Sequence, residues 1–290
     1  MTVEPKVAWP LAAELGEGPI WVERDSALWF VDIKKRKVHR FDPDGGERSS
    51  WSAPEQVGFI LPAEGGGFVA GLQSGLHHFD ETTGKFELIV AIEPDRPHNR
   101  LNDGAVDPAG RLWFGTMDND EKSRTGAFYC FDRGKLSRTA LDGIVITNGP
   151  AISPDGRLLY FVDTLKGTIG CAEIAADGSL GAARPFAKIE PKNGHPDGPT
   201  VDSEGCLWIA LYAGWEAWRY SPAGDLIDRI RFPVANITKL AFGGTGLRQG
   251  FATTARQLLS KEDIAKQPQI GDLFQFPVDV AGMQCPLVRL

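Results

Sequence analysis

Short runs of apolar residues alternate along the chain with turns rich in Asp, Pro, Ser and Gly. Two clear examples are residues 103–115 (DGAVDPAGRLWFG) and residues 198–209 (GPTVDSEGCLWI). Each reads as a strand, a tight turn and a second strand with branched or aromatic side chains, which is typical of a β-hairpin. The apolar positions alternate or run continuously and sustain no 3.6-residue stripe, so the pattern predicts an all-β protein.

The hairpin pattern recurs along the whole chain. Copies begin near residues 17, 57, 102, 148, 197 and 238, and most of them continue into a third strand that ends in a turn. A spacing of roughly 40–50 residues is typical of the four-stranded blades of a propeller. We therefore predict a single domain, residues 1–290, with the fold of a six-bladed β-propeller.

Two further elements are predicted at the ends of the ring. Because a propeller ring has to close, we expect residues 6–11 to join the last blade beside residues 273–277 and 286–290. Residues 260–266 (SKEDIAK) are predicted as a short surface helix, since Ser260 is a favourable N-cap residue.

Composition narrows the class of protein. The 290 residues contain 31 Lys and Arg against 38 Asp and Glu, a formal charge of −7, which argues against nucleic acid or an anionic membrane as a partner. No apolar run reaches the ~20 residues of a membrane span, and residues 1–10 lack the pattern of a secretory leader. The four cysteines lie far apart without a CxxC pair, so we expect free buried thiols and a cytoplasmic protein.

Four repeat starts carry a side-chain oxygen at an equivalent place, each followed closely by glycine. These residues are Glu17, Asn102, Asn148 and Asp197. First strands converge on the axis of a propeller, so these oxygens would form an all-oxygen site for a hard divalent cation. Any single Asn-Gly or Asp-Gly pair also fits an ordinary turn. Four such residues in register, one of them a glutamate, favour a site over turns.

The motifs around these residues resemble the senescence-marker-protein/gluconolactonase/luciferin-regenerating-enzyme-like family over essentially the entire chain. They are LGEGPIW (15–21), RLNDG (100–104), GRLWFGTM (110–117), TNGP (147–150) with SPDG (153–156), and PDGP (196–199). The sequence looks closest to bacterial sugar lactonases such as xylonolactonase.

The resemblance implies a set of site residues. It assigns one divalent metal ion to Glu17, Asn148 and Asp197, and it assigns sugar hydroxyls to Arg100 and Asn102. We expect Asp197 also to be the catalytic residue, holding the attacking water as general base. Some relatives carry a glutamate after the Gly-Thr-Met segment as another substrate contact. Residues 117–120 read MDND here, and the alignment points to Asn119.

The expected function is therefore metal-dependent hydrolysis of a small sugar lactone, with Ca²⁺, Fe²⁺, Zn²⁺, Mn²⁺ or Mg²⁺ as the ion. The alternatives are a metal- or sugar-binding propeller without catalysis, and an esterase or phosphotriesterase that uses the same pocket. The absence of a G-x-S-x-G elbow argues against a serine esterase. We expect the chain to be a monomer or a weak oligomer.

Overall fold

The computed structural model describes residues 3–290, which form 24 β-strands, one α-helix and three short 3-10 helices. In chain order the strands begin with β1 (Lys6–Trp9), β2 (Gly16–Val22), β3 (Ala27–Asp32), β4 (Lys37–Phe41), β5 (Arg48–Ser52), β6 (Val57–Pro62), β7 (Phe68–Leu72), β8 (Gly75–Asp80), β9 (Lys85–Ala91), β10 (Asn99–Val106), β11 (Leu112–Asp118) and β12 (Gly126–Asp132). They continue with β13 (Lys135–Ile144), β14 (Thr147–Ile152), β15 (Leu158–Asp163), β16 (Thr168–Glu173), β17 (Arg184–Lys188), β18 (His195–Val201), β19 (Leu207–Tyr212), β20 (Glu216–Tyr220), β21 (Leu226–Arg231), β22 (Ile237–Gly243), β23 (Gln249–Thr254) and β24 (Leu273–Pro277). The helices are α1 (Lys261–Lys266) and the 3-10 turns Glu23–Asp25, Pro191–Asn193 and Thr245–Leu247.

Antiparallel meanders of four strands are the building unit. Strands β2–β5, β6–β9, β10–β13 and β14–β17 each form a separate four-stranded sheet. The other eight strands form one sheet in the order β1-β24-β23-β22-β18-β19-β20-β21. The first strands β2, β6, β10, β14, β18 and β22 contact one another in sequence around a ring, and β22 contacts β2. The predicted all-β, propeller-like fold is confirmed.

The eight-stranded sheet differs from the six separate blades that we predicted. Its two four-stranded halves are joined by a single parallel pair, Gly198 with Lys239. The two backbones approach closely there because Gly198 has no side chain: a Cβ atom on Gly198 would lie 2.7 Å from Lys239 Cβ. The hydroxyl of Thr200 also donates to the Leu240 carbonyl oxygen at 2.6 Å. The junction is therefore a local close approach between two first strands.

Apolar side chains fill the spaces between consecutive meanders. Six buried clusters follow one another around the ring, and the largest fully buried side chains are aromatic, including Trp29, Trp113 and Phe114. The first strands are buried almost throughout, whereas the fourth strands expose one face. The polar residues of the first strands are therefore buried together with their apolar neighbours.

The turns between first and second strands have a recurrent aspartate. Asp107 accepts backbone hydrogen bonds from Ala109 and Arg111, and its second oxygen accepts from the indole of Trp113 at 2.9 Å. Asp202 makes the equivalent bond to the indole of Trp208 at 3.0 Å. The Asp…Gly…Trp spacing of the repeat therefore encodes a turn whose carboxylate is held by the next strand.

Ring closure occurs through the amino-terminal strand, as predicted. Strand β1 pairs antiparallel with β24 and is the outermost strand of its sheet. The prediction that residues 286–290 join the same sheet is wrong. Val288 instead pairs with Ala63, and the Arg289 amide donates to the Gly110 carbonyl, because this segment crosses the turns at the ends of β6 and β10.

Smaller predictions have mixed outcomes. Ser260 caps helix α1 by accepting from the Asp263 amide, as expected. All four cysteines are free, and Cys285 alone is only half-buried. None of the helices in residues 3–290 has the length and apolar character that a transmembrane helix needs.

Candidate functional site

A cavity of about 340 Å³ lies where the first strands begin, at the end of the ring opposite the β6–β7 and β10–β11 turns. Its walls combine charged, amide and aliphatic side chains. They are Leu15, Glu17, Arg100, Asn102, Met117, Glu121, Ile146, Asn148, Thr164, Leu165, His195, Asp197, Tyr212, Ala213, Asn236, Gln257, Leu258 and Leu259.

The structure brings five of the sequence-predicted residues together in this cavity. Glu17 lies on β2, Arg100 and Asn102 on β10, Asn148 on β14 and Asp197 on β18, and all five are buried. They belong to strands and not to turns, so the alternative of simple turn residues does not describe them.

A register shift occurs beside each of these residues. The shifts lie between Glu17 and Ile20, Leu101 and Gly104, Asn148 and Ala151, and Pro196 and Pro199. A β-bulge bends its strand and re-aims the side chains beside it, and bulges are frequent next to active sites. The repeated bulge is therefore the local feature that turns these polar side chains toward the axis.

A chain of hydrogen bonds fixes the amides in the cavity. Arg100 Nη1 donates to Asn102 Oδ1 at 2.5 Å, and Asn102 Nδ2 donates to Asn148 Oδ1 at 3.1 Å and to the Thr147 carbonyl at 2.6 Å. Asn148 Nδ2 is held by Thr164 Oγ1 at 2.9 Å. Because Asn102 Nδ2 can only donate, it fixes the Asn148 amide with its oxygen toward Asn102 and its nitrogen toward Thr164. Arg100 Nε is buried and has no hydrogen-bond partner among residues 3–290.

The two predicted carboxylate ligands repel each other. Burial and the charge of Asp103 raise the pKa of Glu17 to about 7. Burial and the charge of Glu17 raise the pKa of Asp197 well above its usual range. Burial lowers the pKa of Arg100 to about 10. The site thus holds more negative charge than its own residues stabilise, which suits a bound cation.

A buried ion pair that the sequence did not predict lies beside these carboxylates. Lys239 Nζ lies 2.6 Å and 2.7 Å from the two oxygens of Asp103. Asp103 also accepts from the Gly149 amide at 3.0 Å, next to Asn148. The stem of Lys239 packs on Gly198, next to Asp197. The pair therefore contacts the neighbours of two predicted ligands.

The glycines after these residues have two different roles. Gly149 has φ of +84°, the left-handed region that glycine favours. Gly198 lies outside that region and is needed for space, because a Cβ atom would meet Lys239 Cβ, Cγ and Cδ at 2.7–2.8 Å. Gly149 is thus needed for its backbone conformation and Gly198 for the absence of a side chain.

Asn119, the predicted substrate contact, does not line the cavity. Its side chain accepts from Lys34 Nζ at 3.0 Å. Asp118 turns the chain here by accepting the amides of Lys122 and Ser123, and the turn places Glu121 in the cavity wall. Because this turn intervenes, Glu121 and not Asn119 lines the cavity.

The mouth of the cavity is partly aliphatic. Leu165 and Leu258 line it together with Tyr212, and the two leucines are 50% and 78% exposed. Leu258 follows Gln257, whose Nε2 donates to Glu121 at 3.0 Å. Trp215, although partly exposed, is not among the residues that line the cavity.

The residues present fit a hard divalent cation. Glu17 and Asp197 offer carboxylate oxygens, and Asn148 offers an amide oxygen whose orientation is fixed by the amide donor of Asn102. Residues 3–290 contain no group of three or more His, Cys, Asp or Glu side chains arranged to hold a metal ion. A metal site here would therefore depend on the amide oxygen as its third protein ligand.

Comparison with known proteins places this geometry in context. The family model described as SMP-30/Gluconolactonase/LRE-like region matches residues 15–256. The 6-deoxy-6-sulfogluconolactonase of Pseudomonas putida is 34% identical over 276 residues, which cover 94% of each chain. The L-arabinolactonase of Azospirillum brasilense is 36% identical over 273 residues, which cover 93% of this chain and 90% of that protein.

A solved structure matches nearly every residue. The calcium-binding protein regucalcin of Agrobacterium tumefaciens superposes with a TM-score of 0.96 at 30% identity, over 100% of this chain and 99% of that one. The luciferin-regenerating enzyme superposes with a TM-score of 0.92 at 29% identity.

Proposed function

The chain belongs to the SMP-30/gluconolactonase/LRE-like family, and we propose that it opens small sugar lactones to the corresponding sugar acids in the cavity described above. The observation that carries the proposal is the convergence of two carboxylates, an oriented amide and a buried guanidinium in one cavity of about 340 Å³. Similarity to two lactonases over more than nine-tenths of this chain supports it.

The proposal includes the architecture. We infer that the eight-stranded sheet corresponds to two blades linked at Gly198 and Lys239, so that residues 1–290 form one six-bladed propeller. The support is the four-strand meander on each side of that single parallel pair and the contact of β22 with β2.

Glu17, Asn148 and Asp197 are the residues proposed to hold one divalent ion, either Ca²⁺, Mg²⁺, Mn²⁺, Fe²⁺ or Zn²⁺. Oxygen donors favour the harder ions of this set. When bound, such an ion supplies Lewis-acid polarisation of an ester carbonyl.

The protein's own residues position the substrate and move the proton. Arg100 and Asn102, which are already hydrogen-bonded to each other, present a fixed pair of polar groups to the hydroxyls of the sugar. An Asp197 carboxylate oxygen accepts a proton from the attacking water and returns it to the ring oxygen, which leaves as the ester C–O bond breaks. Asn119 has no part in this arrangement, since Lys34 holds its side chain outside the cavity.

Acid release from a panel of pentono- and hexonolactones tests the proposal. Metal-stripped protein is assayed with a pH indicator after each candidate ion is added back, Fe²⁺ under anaerobic conditions. We expect metal-dependent turnover far above spontaneous hydrolysis. If the protein binds a metal ion but accelerates no lactone, the proposal is wrong and a binding propeller without catalysis replaces it.

Two substitutions examine the assigned roles. Asp197→Ala is expected to lower kcat by about 100-fold or more, the usual range for a lost general base, whereas Asp225→Ala on the exposed surface is the matched control. Arg100→Ala is expected mainly to raise KM, because its contacts are with the bound sugar. Normal turnover by Asp197→Ala would remove Asp197 from the mechanism.

One observation favours a second candidate. The exposed Leu165 and Leu258 give the mouth an aliphatic surface, which also suits esters less polar than a sugar lactone. Simple aryl and alkyl esters therefore belong in the same assay, and a preference for them over every sugar lactone would select the esterase alternative.

A further inference from the structure

Gln257 is a polar residue of the cavity wall that no sequence motif indicated. It lies in the segment between β23 and α1, and the protein engages all but one of its hydrogen-bonding groups. Its backbone N–H donates to the Glu14 carbonyl at 2.9 Å, and its backbone carbonyl accepts from the Tyr212 hydroxyl at 2.5 Å. Its side-chain Nε2 donates to Glu121 Oε1 at 3.0 Å.

The remaining group, Gln257 Oε1, is a buried acceptor with no hydrogen-bond partner among residues 3–290. Only two other buried side-chain atoms in the same part of the chain share this state, Arg100 Nε and Gln56 Oε1. Gln257 and Arg100 both line the cavity, whereas Gln56 does not. Unpaired buried polar groups are costly and rare, so an acceptor and a donor that are both unpaired in one cavity wall indicate a polar ligand.

The orientation of the Gln257 amide is determined by Glu121. A carboxylate has only acceptors, so the amide nitrogen has to face it and the amide oxygen has to face away. The opposite orientation would place the oxygen of Gln257 against the oxygen of Glu121. The unpaired group is therefore an acceptor, and its partner has to be a donor.

We propose that Gln257 Oε1 accepts a hydrogen bond from a hydroxyl group of the bound sugar lactone, so that Gln257 selects hydroxylated over deoxygenated substrates. This inference rests on the proposed function. The hydroxyl of a sugar both donates and accepts, so neighbouring hydroxyls of one ligand can satisfy Gln257 Oε1 and Arg100 Nε together. Gln257 takes no part in the bond cleavage.

The experiment compares lactones with their monodeoxy analogues in three variants. Gln257→Met keeps the length of the side chain and removes its hydrogen-bonding groups. Gln257→Lys removes the acceptor but keeps a donor toward Glu121. Gln56→Met is the matched control, since it removes a buried unpaired glutamine oxygen outside the cavity.

The expected signature is a loss of selectivity. For the preferred lactone, both Gln257 variants are expected to lower kcat/KM by about tenfold, mainly through KM, as one neutral hydrogen bond requires. For the analogue that lacks the recognised hydroxyl, we expect the Gln257 variants and the wild-type protein to have the same kcat/KM. Gln56→Met is expected to resemble the wild type with both substrates.

Two results would overturn the inference while lactone hydrolysis itself stands. One is an equal loss on the parent lactone and on all its monodeoxy analogues. The other is normal selectivity in Gln257→Lys with a loss in Gln257→Met, because the effect would then come from the position of Glu121. If the wild type hydrolyses no lactone, the proposed function fails, and calorimetric titration with the aldonic acid tests Gln257 directly. Binding about tenfold weaker in Gln257→Met supports its role, and equal or absent binding in both proteins refutes it.

Discussion

Removal of the Lys239 charge is expected to destabilise the protein strongly, because Lys239 is the cation that compensates Asp103. In Lys239→Met the side chain keeps its length and loses its charge. Asp103, whose side chain is 3% exposed, would then remain as a buried carboxylate close to Glu17 and Asp197. Proteins rarely tolerate a buried charge without a partner.

The structure limits the size of the effect. Loss of one partner of a buried ion pair typically costs about 3–5 kcal/mol. Asp103 retains hydrogen bonds from the amides of Gly104 and Gly149, at 2.8 Å and 3.0 Å, which place the cost near the lower end of that range. At roughly 2–4 °C per kcal/mol for a large domain, a cost of about 3 kcal/mol lowers Tm by about 6–12 °C.

Differential scanning calorimetry of metal-stripped protein at pH 8 measures the change. Lys266→Met is the matched control, since Lys266 is 75% exposed and lies 3.7 Å from Asp263, so its Tm should change little. The double variant Asp103→Asn, Lys239→Met removes both charges and keeps an acceptor for the two glycine amides. It should recover most of the loss. A double variant as unstable as Lys239→Met would refute the argument, because the loss would then come from packing of the lysine stem.

Two other outcomes follow from the same region. Glu17 has a folded-state pKa of about 7, against 4.5 for an ordinary glutamate, so between these pH values the folded metal-free protein holds a proton that the unfolded chain releases. The free energy of unfolding should therefore fall by about 3 kcal/mol as pH rises from 4.5 to 7. Glu17→Gln should flatten this part of the Tm profile, and an unchanged slope would contradict the assignment. Gly198→Ala should cost about 1–3 kcal/mol in urea unfolding, since its Cβ would meet Lys239 at 2.7 Å. Gly181→Ala is the control: its new Cβ would lie 3.6 Å from Glu173 Cβ, an ordinary contact distance, so the free energy of unfolding should hardly change.

The repeated part of the fold was predictable because each copy of the repeat has the same local sequence pattern. The Asp…Gly…Trp spacing encodes the turn that Asp107 and Asp202 build, and alternating apolar runs encode the strands on either side. Residues at equivalent places in a repeat meet on the axis when the copies form a ring. Glu17, Asn102, Asn148 and Asp197 could therefore be grouped from the sequence although roughly 50–180 residues separate most of them in the chain.

Features outside the repeat were predicted less well. Lys239 and Asp103 are 136 positions apart and belong to the sixth and third copies of the repeat, so no local sequence pattern predicts their contact. Glu121 lines the cavity and Asn119 does not, because Asp118 closes a turn there by accepting hydrogen bonds from amides up to five residues ahead. The path of the last residues depends on contacts of Val288 with Ala63, which hairpin periodicity does not encode.

The same division separates two properties of the candidate site. Residues that would hold a metal ion lie on the repeated first strands, where buried backbone pairing and a recurrent bulge leave little freedom of position. Glu121 and Gln257 lie in loops after β11 and β23, and a single side-chain hydrogen bond joins them across the cavity. Loops tolerate changes of sequence and length that first strands do not. Substitution at Gln257 should therefore alter substrate preference without loss of metal binding. Substitution at Glu17 or Asp197 should instead remove metal binding, and with it the activity on every substrate.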